Sequence, residues 1–149
     1  MSESTEKHKA TAPKQLSFAV FVCSTSRYQD IRKDEKISDV SGDTIEAMLR
    51  NAGHKVLSKK IIADDMSMIQ DAVNSVLSST ELDAAIFCGG TGIASKDITI
   101  ETVVPFLEKT LPGFGEIFRR LSYETIGSAA VMSRAVAGVA LERRTPRPR

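Results

Sequence analysis

The chain has 149 residues, 42% hydrophobic and 26% charged, the profile of one globular domain large enough to bury a core. No apolar run approaches the ~18 residues of a membrane span, and residues 1–15 carry no apolar stretch of the secretory kind, so a cytoplasmic protein is expected. The net charge of +1 divides into +3 on residues 142–149, +1 on residues 1–15 and −3 on the body between, which argues against a nucleic-acid surface on the globular part.

In chain order, residues 1–15 are polar and read as a disordered arm. Residues 16–23 (LSFAVFVC) form a nearly continuous apolar run, the pattern of a buried parallel strand. Residues 24–40 are polar and charged and read as a long loop. Ser41 is positioned to cap a helix with Ile45, Met48 and Leu49 on one face, ending at Gly53. Residues 55–62 are a second strand. Asp64 or Asp65 caps a helix that turns Ile69, Val73, Val76 and Leu77 inward. Residues 83–88 are a third strand, stopped by Gly89 and Gly90. A helix is expected over about 99–109, with Pro105 in an early turn or at a kink. Pro112 and Gly113 end it, and residues 114–121 form a further short helix. Residues 131–141 are a weakly alternating strand candidate, and residues 142–149 (ERRTPRPR) a basic tail. Phe18, Phe21, Phe87, Phe106 and Phe118 are expected in the core.

Alternating strands and helices imply an α/β domain over residues 16–141 with a mostly parallel sheet. Such sheets bind ligands outside the carboxyl ends of their strands. That rule selects Ser24-Thr25-Ser26-Arg27, Asp64-Asp65 and Gly89-Gly90-Thr91-Gly92 as one edge. The glycines let backbone approach a ligand, and successive N–H groups make an anion nest. The loop is not a Walker A sequence, because Ser95-Lys96 lacks the Gly-Lys-Ser/Thr order. It is not a dinucleotide fingerprint either, because the third glycine position falls on Ser95.

Asp64 and Asp97 are the candidate carboxylates for a hard cation such as Mg²⁺; a helix cap and a solvated loop charge are the plainer alternatives. Lys96 and Arg27 either face phosphate oxygens or sit in solvent. Cys23 and Cys88 lack an obvious histidine partner and read as buried structural thiols. Two cysteines and two histidines without CxxC or HxxxH spacing argue against a disulfide scaffold and a structural zinc site.

Several ordered segments then carry a resemblance. They are Asp39-Val-Ser-Gly42, Ala52-Gly-His-Lys-Val56, Ala63-Asp64-Asp65, Cys88-Gly-Gly-Thr-Gly-Ile93, Lys96-Asp-Ile-Thr99, Leu111-Pro-Gly-Phe-Gly-Glu-Ile-Phe-Arg119, Leu121-Ser-Tyr-Glu-Thr-Ile-Gly127 and Met132-Ser-Arg-Ala135. From about residue 16 to 140 the chain resembles the MoaB/Mog family of molybdenum-cofactor biosynthesis proteins, its MoaB branch most closely.

The resemblance implies a three-layer αβα molybdopterin-binding fold that forms homotrimers, sometimes paired into hexamers. It implies a nucleotidyltransferase: Mg²⁺-dependent adenylylation of molybdopterin by ATP, with small-molecule substrates; hydropathy and charge give no expectation of a membrane or nucleic-acid partner. Catalytic and Mg²⁺-binding roles fall on Asp64 and Asp97. Phosphate and nucleotide binding falls on Gly89, Gly90, Thr91, Gly92, Ser41, Gly42 and Ser24. Pterin contact falls on Ser133 and Arg134. Where the family often has Arg before the second Asp, this chain has Lys96, which keeps charge but not bidentate geometry. The family continues about thirty residues beyond Ala140 with a strand, a Pro-Gly-Ser-Pro loop and a helix. Three readings of the ending stand: a short chain that binds molybdopterin with weakened catalysis, a partner subunit that covers the gap, or a frameshifted terminus.

Overall fold

The computed structural model describes residues 12–34 and 37–140. Most of the expected arm and all of the basic tail lie outside the described residues. The elements are β1 (Ser17–Cys23), α1 (Thr25–Arg32), α2 (Val40–Asn51), β2 (Lys55–Ile62), α3 (Met66–Leu77), β3 (Ala84–Cys88), α4 (Thr99–Val103), β4 (Leu107–Thr110), α5 (Pro112–Ile126) and β5 (Gly138–Ala140).

β1 is the centre of a three-stranded parallel sheet in the order β2-β1-β3. Its last five residues are all buried, as a strand paired on both edges and covered on both faces must be. Alternate residues point to opposite faces. Ala19, Phe21 and Cys23 pack with Ile62, Ile69 and Ala72, so α3 covers that face. Phe21 also stacks on Phe87 of β3, with ring centroids 4.9 Å apart. Val22 turns the other way and meets α2 near Gly42. Helices therefore lie on both faces, giving the three-layer α/β architecture. Ile69 is fully buried, and burying a side chain of that size contributes about 1.5–3 kcal/mol.

Two of the helices, α2 and α3, start where a carboxylate caps free amides. Asp65 caps α3 by accepting from the Met68 N–H at 3.0 Å. Asp39, not Ser41, caps α2: its carboxylate accepts from the Gly42 N–H at 3.1 Å. A carboxylate there also complements the positive helix end, which a serine hydroxyl does not. α2 ends as expected before Gly53, whose φ of 88° suits glycine.

Other expectations are corrected as well. Residues 24–40 are not all loop, because α1 occupies Thr25–Arg32. α1 buries no residue, so it has no apolar stripe to reveal it. The expected helix over 99–109 stops at Val103. Pro105 sits in a short 3₁₀ turn (Val104–Phe106), and the chain then extends into β4. The expected strand over 131–141 is reduced to β5, paired antiparallel with β4, after a 3₁₀ segment at Gly127–Met132.

α5 is longer than expected and starts at Pro112, whose missing N–H is tolerated in a first turn. Only Gly115 of α5 is buried. Phe118 is therefore 42% exposed rather than core, and it stacks on Phe114 instead. Among the described residues no helix is long and apolar enough to cross a membrane.

Candidate active site at the carboxyl edge of the sheet

The parallel register ends together: Cys23 lies opposite Ile62, and Val22 opposite Cys88. The three segments that follow these strands are therefore delivered to one edge. The Ser24 N–H continues the ladder to the Ile62 carbonyl at 2.8 Å. Thr25 then binds Asp64 reciprocally. The Thr25 N–H and hydroxyl donate to Asp64 Oδ2 at 2.9 and 3.0 Å, and the Asp64 N–H donates back to Thr25 Oγ1 at 3.0 Å. Asp64 thus sits at the positive end of α1 with one oxygen committed.

Asp64 Oδ1 is buried and has no hydrogen-bond partner, and neither has the hydroxyl of buried Thr99. Such groups cost free energy unless something completes them, so they mark a place where a ligand or water belongs. Both face Gly90. A Cβ there would lie 2.7 Å from Asp64 Oδ1 and would overlap Thr99 Oγ1, at a φ of 59°. The Gly90 carbonyl accepts from the Thr99 N–H at 3.0 Å, which ties the turn to α4. Gly89 makes the same kind of close approach to the Cys23 carbonyl.

The loop beyond is braced from within. Asp97 Oδ2 accepts from the Ala94 N–H at 2.9 Å, and the Asp97 N–H returns to the Ala94 carbonyl at 2.9 Å. The Asp97 carboxylate also lies against Gly92, where a side chain would not fit. Arg134 reaches across to the same loop. Its Nε donates to the Thr91 carbonyl at 3.1 Å and an Nη to the Asp97 carbonyl at 3.3 Å, and it forms an ion pair with Glu101.

Of the expected site residues, Ser24, Asp64, Gly89 and Gly90 come together. Thr91, Gly92 and Asp97 form the adjoining loop, with Arg134 strapped to it. Ser41 and Gly42 lie in the first turn of α2, which meets β1 at Val22, and the Gly42 amide is already taken by Asp39. Ser133 is half-buried, its N–H donating to the Ala130 carbonyl at 3.0 Å. Arg27 pairs with Asp39 at 3.4 Å, and Lys96 is exposed. Thr99 and Glu101 are not among the expected site residues. In the sequence Thr99 closes the Lys96-Asp-Ile-Thr99 segment at a helix start, and its hydroxyl two residues after Asp97 is the one signal of a site role.

Burial pushes the Cys23 thiol up to about 11; the Thr99 side chain opposes this and the Asp64 charge adds to it. Burial also raises Cys88, with the Asp39 charge adding to the effect. Both thiols therefore stay protonated near neutral pH, and neither supplies a thiolate nucleophile.

No group of three or more His, Cys, Asp or Glu side chains that could hold a metal ion occurs among the described residues. The free Asp64 oxygen is nonetheless a hard donor. Mg²⁺ is usually held by one or two carboxylates together with substrate phosphates. The residues present fit Mg²⁺ in that role.

Residues 19–143 match the family model described as "Probable molybdopterin binding domain". The chain belongs to the MoaB/Mog family of molybdenum cofactor biosynthesis proteins. It is 44% identical over 137 residues to molybdenum cofactor biosynthesis protein B of Bacillus subtilis, covering 91% of this chain and 76% of that one. It is 39% identical over 134 residues to the molybdopterin adenylyltransferase of Pyrococcus furiosus, covering 90% and 75%. The crystal structure of the tungsten cofactor synthesizing protein MoaB from Pyrococcus furiosus superposes with a TM-score of 0.75 at 36% identity, covering 89% and 78%. The α/β fold with a parallel sheet is thus the fold of solved MoaB/Mog proteins.

Gly90→Ala is expected to destabilise the protein by about 1–3 kcal/mol in urea unfolding, from the strained φ and the overlap with Thr99. Gly113→Ala, in open space within α5, is expected to be neutral or slightly stabilising. Equal effects of the two would contradict the close-approach account.

Proposed function

We propose that this protein is a molybdopterin adenylyltransferase. The terminal phosphate oxygen of molybdopterin attacks the α-phosphorus of ATP. The bond from that phosphorus to the bridging oxygen of the β-phosphate breaks, and pyrophosphate leaves. The single observation that carries the reading is the unpartnered Asp64 oxygen facing the Gly90 turn beside the unpartnered Thr99 hydroxyl. The relatives named as molybdopterin adenylyltransferases support it.

The residues divide the work by position. Amides of Gly89, Gly90, Thr91 and Gly92 and the hydroxyls of Ser24 and Thr91 hold phosphate oxygens. Asp64 would hold Mg²⁺, which when bound neutralises phosphate charge. Asp97 keeps the loop in the shape that presents its amides. Ser133 takes the pterin side, and the Ser41 hydroxyl in the first turn of α2 faces the outer phosphates, while the Gly42 amide stays on Asp39. Phosphoryl-type transfer needs this positioning and charge balance and no protein nucleophile, which agrees with two protonated thiols.

A second reading is favoured by one observation. Asp97, the other carboxylate the resemblance assigns to catalysis, is turned into its own loop toward the Ala94 N–H. On that reading the protein binds molybdopterin and delivers it without turnover.

The described chain also supports self-association, which the family resemblance makes a trimer or a pair of trimers. α5 leaves Phe114, Ile117, Phe118, Leu121 and Ile126 exposed, recurring at helical spacing, and Val131 beyond them is 82% exposed. A contiguous apolar face of that kind marks a surface that another molecule covers.

Asp64→Asn is expected to lower Mg²⁺- and ATP-dependent pyrophosphate release about 100-fold or more while the fold persists. Unchanged release in both Asp64→Asn and Asp97→Asn would refute the assigned roles. Molybdopterin binding by the wild-type protein with no pyrophosphate release would establish the second reading. Sedimentation is expected to show an oligomer that Leu121→Asp dissociates; a stable 16.2 kDa wild-type monomer would contradict self-association.

A further inference from the structure

Arg134 is joined to three acceptors far away in sequence. It binds the carbonyls of Thr91 and Asp97, at the two ends of the loop that follows the Gly90 turn. It also forks onto both carboxylate oxygens of Glu101 on α4. Its own mount is firm. The Leu111 N–H donates to the Ala137 carbonyl at 2.7 Å, and Gly115 of α5 lies against the Ala135 carbonyl, where a Cβ would come within 2.9 Å. The segment that carries Arg134 is therefore fastened to the start of α5 on its far side.

The guanidinium thus spans the gap between that segment and the glycine loop, with four hydrogen bonds to protein acceptors. An exposed ion pair alone contributes little. One fork shared among two carbonyls and a carboxylate is different, because it fixes direction as well as charge. The Arg134 pair also holds the Glu101 carboxyl below its usual range.

We propose that Arg134 and Glu101 form a strap that holds residues 91–97 in their phosphate-receiving shape. Arg134 is on this view a positioning residue that does not touch the pterin, and Glu101 is its necessary partner. The strap orders the loop before substrate arrives, so ATP does not have to order it on binding. The kinetic consequence rests on the adenylyltransferase reading; the structural consequence does not.

The two roles for Arg134 predict opposite effects of changing Glu101. If Glu101 anchors a strap, Glu101→Ala loosens the loop as Arg134→Lys does. If Arg134 contacts the pterin or its phosphate, Glu101→Ala frees the guanidinium for it, and molybdopterin binds more tightly. The experiment compares wild type, Arg134→Lys, Arg134→Ala and Glu101→Ala. It reads backbone amide hydrogen exchange across residues 89–97, then KM and kcat for ATP and for molybdopterin.

The strap predicts faster exchange at Ala94 and Asp97 in all three variants, with exchange in β1 unchanged. It predicts that KM for ATP rises about tenfold while kcat changes less. Glu101→Ala with wild-type exchange, or with a lowered KM for molybdopterin, overturns it. Should Arg134→Ala fail to fold, Arg134→Lys and Glu101→Ala still decide. Should the wild type show no turnover, the exchange measurement tests the strap alone, and only the adenylyltransferase reading fails.

Discussion

The site depends on how the carboxylate of Asp64 is divided. One oxygen receives two hydrogen bonds from Thr25, and the other is buried without a partner beside Gly90 and Thr99. That division needs the rest of the sheet. β1 must be central so that Thr25 emerges next to the end of β2. Asp65 must cap α3 so that Asp64 need not. Position 90 must lack a side chain, or the free oxygen would meet a methyl group instead of a ligand.

The surrounding groups agree with a centre that positions and does not react covalently. Cys23 lies close to Asp64, yet burial keeps its thiol protonated at neutral pH. The loop from Thr91 to Asp97 is held by its own Asp97 and from outside by Arg134. Such prior order matters for phosphoryl-type transfer, where alignment and charge stabilisation supply most of the rate.

The parts of the fold legible in the sequence were those with a strong apolar signature. β1 and β3 are short apolar runs, α3 has apolar residues at helical spacing, β2 ends in a pair of isoleucines, and the glycines after β3 mark where that strand stops. α1 left no such trace, since it buries nothing and is held by Arg27–Asp39 and Thr25–Asp64 contacts. β4 and β5 are short and pair across about thirty residues, which no local pattern records. α5 departs in another way: Phe118 is expected in the core by residue type, whereas the apolar stripe it belongs to faces outward. At the site, the rule for ligands at strand ends found Asp64 and the glycines. It could not find Thr99, whose importance lies in burial, nor the use of Arg134, whose acceptors lie 33 to 43 residues away.

The account is tested most directly by Thr25→Val, which keeps the shape of the side chain and removes the hydroxyl that orients Asp64. The measurement is Mg²⁺- and ATP-dependent pyrophosphate release with molybdopterin, alongside thermal unfolding and a Thr25→Ser control. A fall of about 10- to 100-fold in release, restored by serine and with the fold intact, is the predicted result. Wild-type release from folded Thr25→Val would contradict it.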